Sequence, residues 1–228
     1  MKDTRIFIAD RRLENRNDDA IIRSTVNFYD GEIDSSSING TIHQINECVI
    51  FSSQQVAFTI PENTFHIILP LQADLAISIF NTRLKVAIGE LLIVSSDSLE
   101  EMYVENLDEN SSEAQFIQVV IDNNTVSRKV YKLQMPELLK ANRNCLHVIA
   151  EHVLESNVVL SIGAFIGREE NEWKRSFNSS EAIAMVLDGC FELSGRLLYQ
   201  FDVMDLGDLK EVDLECLSSQ GILFFIEL

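Results

Sequence analysis

Punctuation is the feature that most constrains this chain. Residues 182–199 read AIAMVLDGCFELSGRLLY, in which short apolar runs are broken by Asp188-Gly189 and Ser194-Gly195. Runs this short, bounded by Gly, Asp and Ser, favour strands over helices. Asp-Gly is a strong type I′ signal, because both central residues of that turn need positive φ. Two such turns in succession predict an antiparallel meander through 182–187, 190–193 and 196–199.

The first half has the same rhythm. Strands are predicted at 42–45, 48–51, 55–60, 66–71, 75–80, 83–87, 91–94 and 116–121, with a hairpin turn at Asn81-Thr82. Residues 127–141 read as a short helix or irregular connector, with Pro136 suited to a first helical turn. The polar stretches 99–113 and 171–181 read as solvated loops, the second carrying the sole tryptophan, Trp173. FNTRLKVAIGELLIV (80–94) is similar to LSGRLLYQFDVMDL (193–206), with Arg83-Leu84 opposite Arg196-Leu197. That likeness suggests a duplicated β-barrel or sandwich. The expected division is 1–126 and 127–228.

Composition narrows the partners. With 36 acidic against 18 basic residues the formal charge is -18, so a phosphate backbone or an anionic membrane is repelled over most of the surface. No nucleic-acid or membrane partner is expected. No run of about 18 apolar residues occurs and the N-terminus has no signal-peptide core, which predicts a cytoplasmic protein. Cys48, Cys145, Cys190 and Cys216 are widely spaced with no Cys-x-x-Cys pair, and read as buried core thiols.

Several segments, in shared order and spacing, resemble the pirin-like bicupin family over nearly the whole chain. They are IFIADRR (6–12), RSTVNFYD (23–30), IHQINEC (42–48), GELLIVSSDSLEEMYVEN (89–106), FIQVVID (116–122), VLDGCFELSGRLL (186–198) and GILFFIEL (221–228). The resemblance implies an all-β chain of two cupin-type (RmlC-like jelly-roll) β-barrels joined by a short helical or irregular connector. It also implies a divalent metal, typically iron, held in the first barrel by three His and one Glu. Some relatives oxidise flavonols such as quercetin with dioxygen, and eukaryotic pirins act as nuclear cofactors of transcription factors.

Carried over residue by residue, the metal ligands are missing. The family's His-Pro-His falls on Ile60-Pro61-Glu62, and its later His-Ser-Glu falls on Met102-Tyr103-Val104. Of the four ligand positions, Ile60, Glu62, Met102 and Val104, only Glu62 has a donor for iron or zinc, and one carboxylate does not hold such an ion against water. A slip of one or two residues brings Glu100 or Glu101 toward the site, where carboxylates suit a hard ion. His66, at a family acidic position just beyond, is a candidate additional contact. His43, His147 and His152 have no clustered partners. No catalytic constellation and no phosphate-cradling glycine loop is present.

The expectation is therefore a protein without metal or cofactor. It acts by binding an unidentified protein partner or a small apolar ligand, rather than by catalysis. Ile60, Met102 and Val104 either fill the first barrel or line an apolar pocket in which Glu62 or His66 supplies the polar contact. The alternative is a metal-dependent dioxygenase of the quercetin-dioxygenase type with substitute ligands. Neither reading fixes an oligomeric state.

Overall fold

The computed structural model describes residues 3–27, 41–107, 112–122, 127–135, 143–151, 158–176 and 179–228. Among them the regular structure is strand, with one 3₁₀ turn at Ala9–Arg11 and no α-helix. The chain is all-β. No helix among the described residues is long and apolar enough to cross a membrane.

In chain order, β1 (Arg5–Phe7) is followed by β2 (Leu13–Arg16), β3 (Ala20–Asn27), β4 (Ile42–Phe51), β5 (Gln55–Ile60), β6 (Thr64–Gln72) and β7 (Leu75–Ile79). Next come β8 (Thr82–Val86), β9 (Glu90–Ser96), β10 (Glu100–Asn106), β11 (Glu113–Asp122) and β12 (Lys129–Gln134). The second series is β13 (Cys145–Glu151), β14 (Val159–Ile166), β15 (Glu170–Lys174), β16 (Ala182–Asp188) and β17 (Cys190–Leu193). It closes with β18 (Arg196–Tyr199), β19 (Val203–Asp205), β20 (Glu211–Cys216) and β21 (Gln220–Glu227).

Two compact units result: Arg12–Met135, and Met1–Arg11 together with Pro136–Leu228. The first holds a seven-stranded sheet, β12-β9-β6-β11-β4-β3-β2, and a four-stranded one, β5-β10-β7-β8. The second holds a six-stranded sheet, β1-β19-β16-β21-β14-β13, and a four-stranded one, β15-β20-β17-β18. Apart from β2, which has no counterpart in the second unit, the orders correspond, so the duplication is structural, with Arg83-Leu84 and Arg196-Leu197 on equivalent edge strands. Each unit is a two-sheet jelly roll around its own apolar cluster.

The division differs from the expected one at both ends. β12 pairs antiparallel with β9, which keeps 129–134 in the first unit. β1 pairs with β19, which places the N-terminal residues in the second. The expected connector is thus an edge strand over its middle, and its alternating burial is the signature of one covered face. Residues 136–141 of that expected connector lie outside the described residues.

Three further readings are corrected. Residues 100–106 and 171–174, expected as loops, lie in β10 and β15, whose charged residues stay at least partly exposed while Met102, Val104, Asn106 and Trp173 are buried. Asp188-Gly189 is not a hairpin. β16 pairs with β19 and β21, and β17 with β18 and β20, so the link passes from one sheet to the other. Only Gly189 there has positive φ, whereas Ser194 and Gly195 both do and form the expected tight turn. In the first barrel the two-residue turn is Phe80-Asn81, with φ of 50° and 58°, one residue before its expected place.

All four cysteines are free, but only Cys48 and Cys216 are buried; Cys190 is half-buried and Cys145 exposed.

Candidate functional site

The strands expected to carry the family's metal positions are paired. β5 and β10 run antiparallel with Met102 opposite Phe58, Val104 opposite Val56 and Glu100 opposite Ile60. Strand periodicity turns Phe58 and Ile60 on one strand, and Met102 and Val104 on the other, to the barrel interior. Ile60, Met102 and Val104 have no exposed surface, and all belong to one cluster with Phe58, Ile68, Ile77, Val94 and Phe116. Phe58 meets Phe116 edge to face, with centroids 6.0 Å apart.

Glu62 is elsewhere. It lies exposed in the turn between β5 and β6, where Thr64 Oγ1 donates to the Pro61 carbonyl at 2.8 Å and Asn63 has φ of 59°. Glu101 faces outward and takes the Tyr103 hydroxyl at 2.5 Å. Glu100, at the mouth of the barrel, is engaged by Arg128, whose guanidinium also sits 4.7 Å from the Phe80 ring centroid. A groove of about 690 Å³ takes its lining from Thr59, Glu101 and Tyr103, the outward-facing alternates of these strands. Ile79, Glu100 and Arg128 close one end of it, and Ile60, Met102 and Val104 are not in its lining.

His66 is buried on β6, paired with Val94 on β9 and Val120 on β11. Burial lowers its pKa from the ordinary 6.5 to about 3, so the imidazole is neutral. Gln118 lies 3.4 Å from its Nδ1 and accepts at 2.9 Å from Asn46, which in turn reaches Gln44. His66 Nε2 and Asn46 Oδ1 have no hydrogen-bond partner among the described residues. The first barrel thus joins an apolar end to a polar one.

The amides of that polar end were missed in the sequence. Their signal was parity: Gln44, Asn46 and Cys48 share one face of β4, as Phe116, Gln118 and Val120 share one face of β11. The alternate face of β4 carries a second unforeseen feature. Glu47 is buried and binds Arg12 at 2.7 Å, Arg23 at 2.9 Å and Gln115 at 2.6 Å. Arg23 also holds Glu14 at 2.9 Å, and that bond, with the Glu47 charge, raises its pKa. His43 pairs with Asp122, and His147 lies 3.2 Å from the Cys145 sulfur. His152 lies outside the described residues.

No family model and no curated protein matches the chain. Solved structures do. Bacterial pirin YhhW from Escherichia coli in complex with nickel(II) superposes with a TM-score of 0.80 at 13% identity, covering 98% of each chain. Another structure of YhhW gives 0.82 at 14%, covering 98% of this chain and 97% of that one. Quercetin 2,3-dioxygenase from Acinetobacter baumannii gives 0.74 at 9%, covering 97% and 84%.

The fold is that of a pirin-like bicupin.

The metal that a pirin-like bicupin resemblance implies does not fit these residues. Ile60 and Val104 offer no donor atom, Met102 offers one thioether inside an apolar cluster, and Glu62 is in solvent. Neither Glu100 nor Glu101 substitutes, since both are engaged outside the cluster. Among the described residues no group of three or more His, Cys, Asp or Glu is placed to hold an ion.

Proposed function

We propose that this pirin-like bicupin is metal-free and acts by binding rather than catalysis. One observation carries the reading: Ile60, Met102 and Val104, at three of the four family ligand positions, are fully buried in one apolar cluster. Side chains that fill a core contribute packing, and a filled core leaves no site for substrate beside a metal. The first barrel is then a scaffold, and its filled apolar end is not the ligand site. The binding surface lies elsewhere on the chain.

Thermal unfolding with and without a chelator, and with added iron, zinc, manganese or nickel, tests this directly. A metal that binds the folded state raises the midpoint by mass action. The proposal expects one midpoint under all these conditions, and no dioxygen uptake with quercetin. A midpoint that falls with chelator and recovers with one metal, or flavonol-dependent oxygen consumption, contradicts it.

A further inference from the structure

The second barrel has a cleft of about 410 Å³ between β13–β14 of its larger sheet and β15–β20 of its smaller one. That volume is within the range of small-molecule sites, roughly 300–1,000 Å³. Its inner wall is apolar, because Phe165, Trp173 and Leu214 line it while belonging to the barrel core. Trp173 is held in place by stacking on Phe225, with centroids 5.0 Å and planes 24° apart.

Glu227 also lines this cleft and is 4% exposed. Its Oε2 receives the Ser176 backbone N–H at 2.7 Å, the Ser176 hydroxyl at 2.5 Å and the Ser179 hydroxyl at 3.0 Å. Oε1 has no donor among the described residues. Oε1 is not sealed into the core, so a cationic donor entering the cleft can reach it and add a charge-assisted hydrogen bond. Lys174 does not supply it, since its ammonium is turned to Glu172 at 3.0 Å and Glu211 at 3.4 Å. With Glu151 and Glu172 also in the lining, the cleft is acidic beside an aromatic wall.

We propose that this cleft binds a small primary amine with an apolar body. The ammonium donates to Glu227 Oε1, and the body lies against Trp173 and Phe165. An ammonium satisfies a carboxylate with a charge-assisted bond and is attracted to an indole face, whereas an anion of the same shape is repelled by both. The proposal rests on the reading of the chain as a binder but uses a different barrel. A metal-free protein without amine binding sinks the cleft and leaves that reading standing.

Trp173 is the sole tryptophan, so selectively excited tryptophan emission reports on this cleft. Titrating the full chain with 2-phenylethylamine should give a saturable change with a dissociation constant on the order of 0.1 mM. Its anionic counterpart, 3-phenylpropionate, should give none. Glu227→Gln should weaken binding about tenfold or more. Because that change also touches the Ser176 and Ser179 bonds, Ser161→Leu is the second variant. Ser161 lines the cleft on the same face of β14 as Phe165, and leucine there fills the space without altering Glu227. Loss of the amine response in Ser161→Leu, with the fold intact by circular dichroism, supports the site. No saturable response, an equal response to both ligands, or undiminished binding in Ser161→Leu overturns it.

Discussion

Gln118 Nε2 lies 3.4 Å from His66 Nδ1, joining β11 to β6 inside the first barrel. With Nδ1 as acceptor, the neutral ring carries its proton on Nε2, which has no partner among the described residues. Where relatives are expected to use imidazoles as metal ligands, this barrel keeps one imidazole as part of an amide network.

That imidazole makes stability depend on pH. Its pKa is about 3 when folded against 6.5 ordinarily, so between those values the unfolded chain takes up a proton that the folded chain refuses. The contribution is complete above pH 6.5 and is lost as pH falls, at about 1.4 kcal/mol per unit. Urea unfolding at pH 7 and pH 5 should show a loss in the wild type about 2 kcal/mol larger than in His66→Leu. Equal losses would mean that His66 is protonated in the folded barrel.

Glu47 is buried between two guanidiniums, and removing one member of such a cluster strands the others. Glu47→Gln should destabilise the protein by about 3–5 kcal/mol. Arg83→Gln, in the exposed pair with Glu105, should change it by less than about 1 kcal/mol. Chemical denaturation of both variants checks the contrast.

Met102 decides between a filled core and a lined pocket. Truncation of a packed methionine leaves a cavity, so Met102→Ala should cost about 2–5 kcal/mol. A loss below about 1 kcal/mol would indicate that the side chain already borders open space.

Glycines at positive φ separate by their surroundings. A Cβ at Gly189 would lie 2.4 Å from Ser218 Oγ and 2.7 Å from the Gln220 carbonyl, whereas one at Gly195 meets nothing within 4 Å. Gly195→Ala should cost about 1 kcal/mol from backbone strain alone. Gly189→Ala should cost clearly more, measured by the shift in thermal midpoint.

The strands were legible because their alternation is local. Residues 55–60, 190–193 and 196–199 read as strands with the bounds they have in the fold. What was not legible is what depends on distant partners. Asp188-Gly189 has the composition of a hairpin turn, yet Gly189 is needed for close approach to Ser218 and Gln220, far along the chain. β10 and β15 looked like loops because their charged residues face outward, and only burial of the alternates reveals strands. Likewise β1 has no local sign that it completes the second barrel, since its partner β19 lies near the other end of the sequence.

The candidate site divides in the same way. The apolar character of Ile60, Met102 and Val104 is plain from residue type, but their burial in one cluster, and the separation of Glu62 from them, needed coordinates. The amides of Asn46 and Gln118 and the carboxylate of Glu227 match no motif. They became visible only as buried polar atoms around which β4, β11 and β21 close.

The most direct test of the central claim is elemental analysis of tag-free protein, purified without chelator from cells supplemented with iron, zinc, manganese and nickel. Less than about a tenth of an equivalent of each metal is predicted, because one solvent-exposed carboxylate does not hold such ions against water. Near-stoichiometric content of any one metal, lost on Glu62→Ala, would contradict the account and return this barrel to the metal-binding cupins.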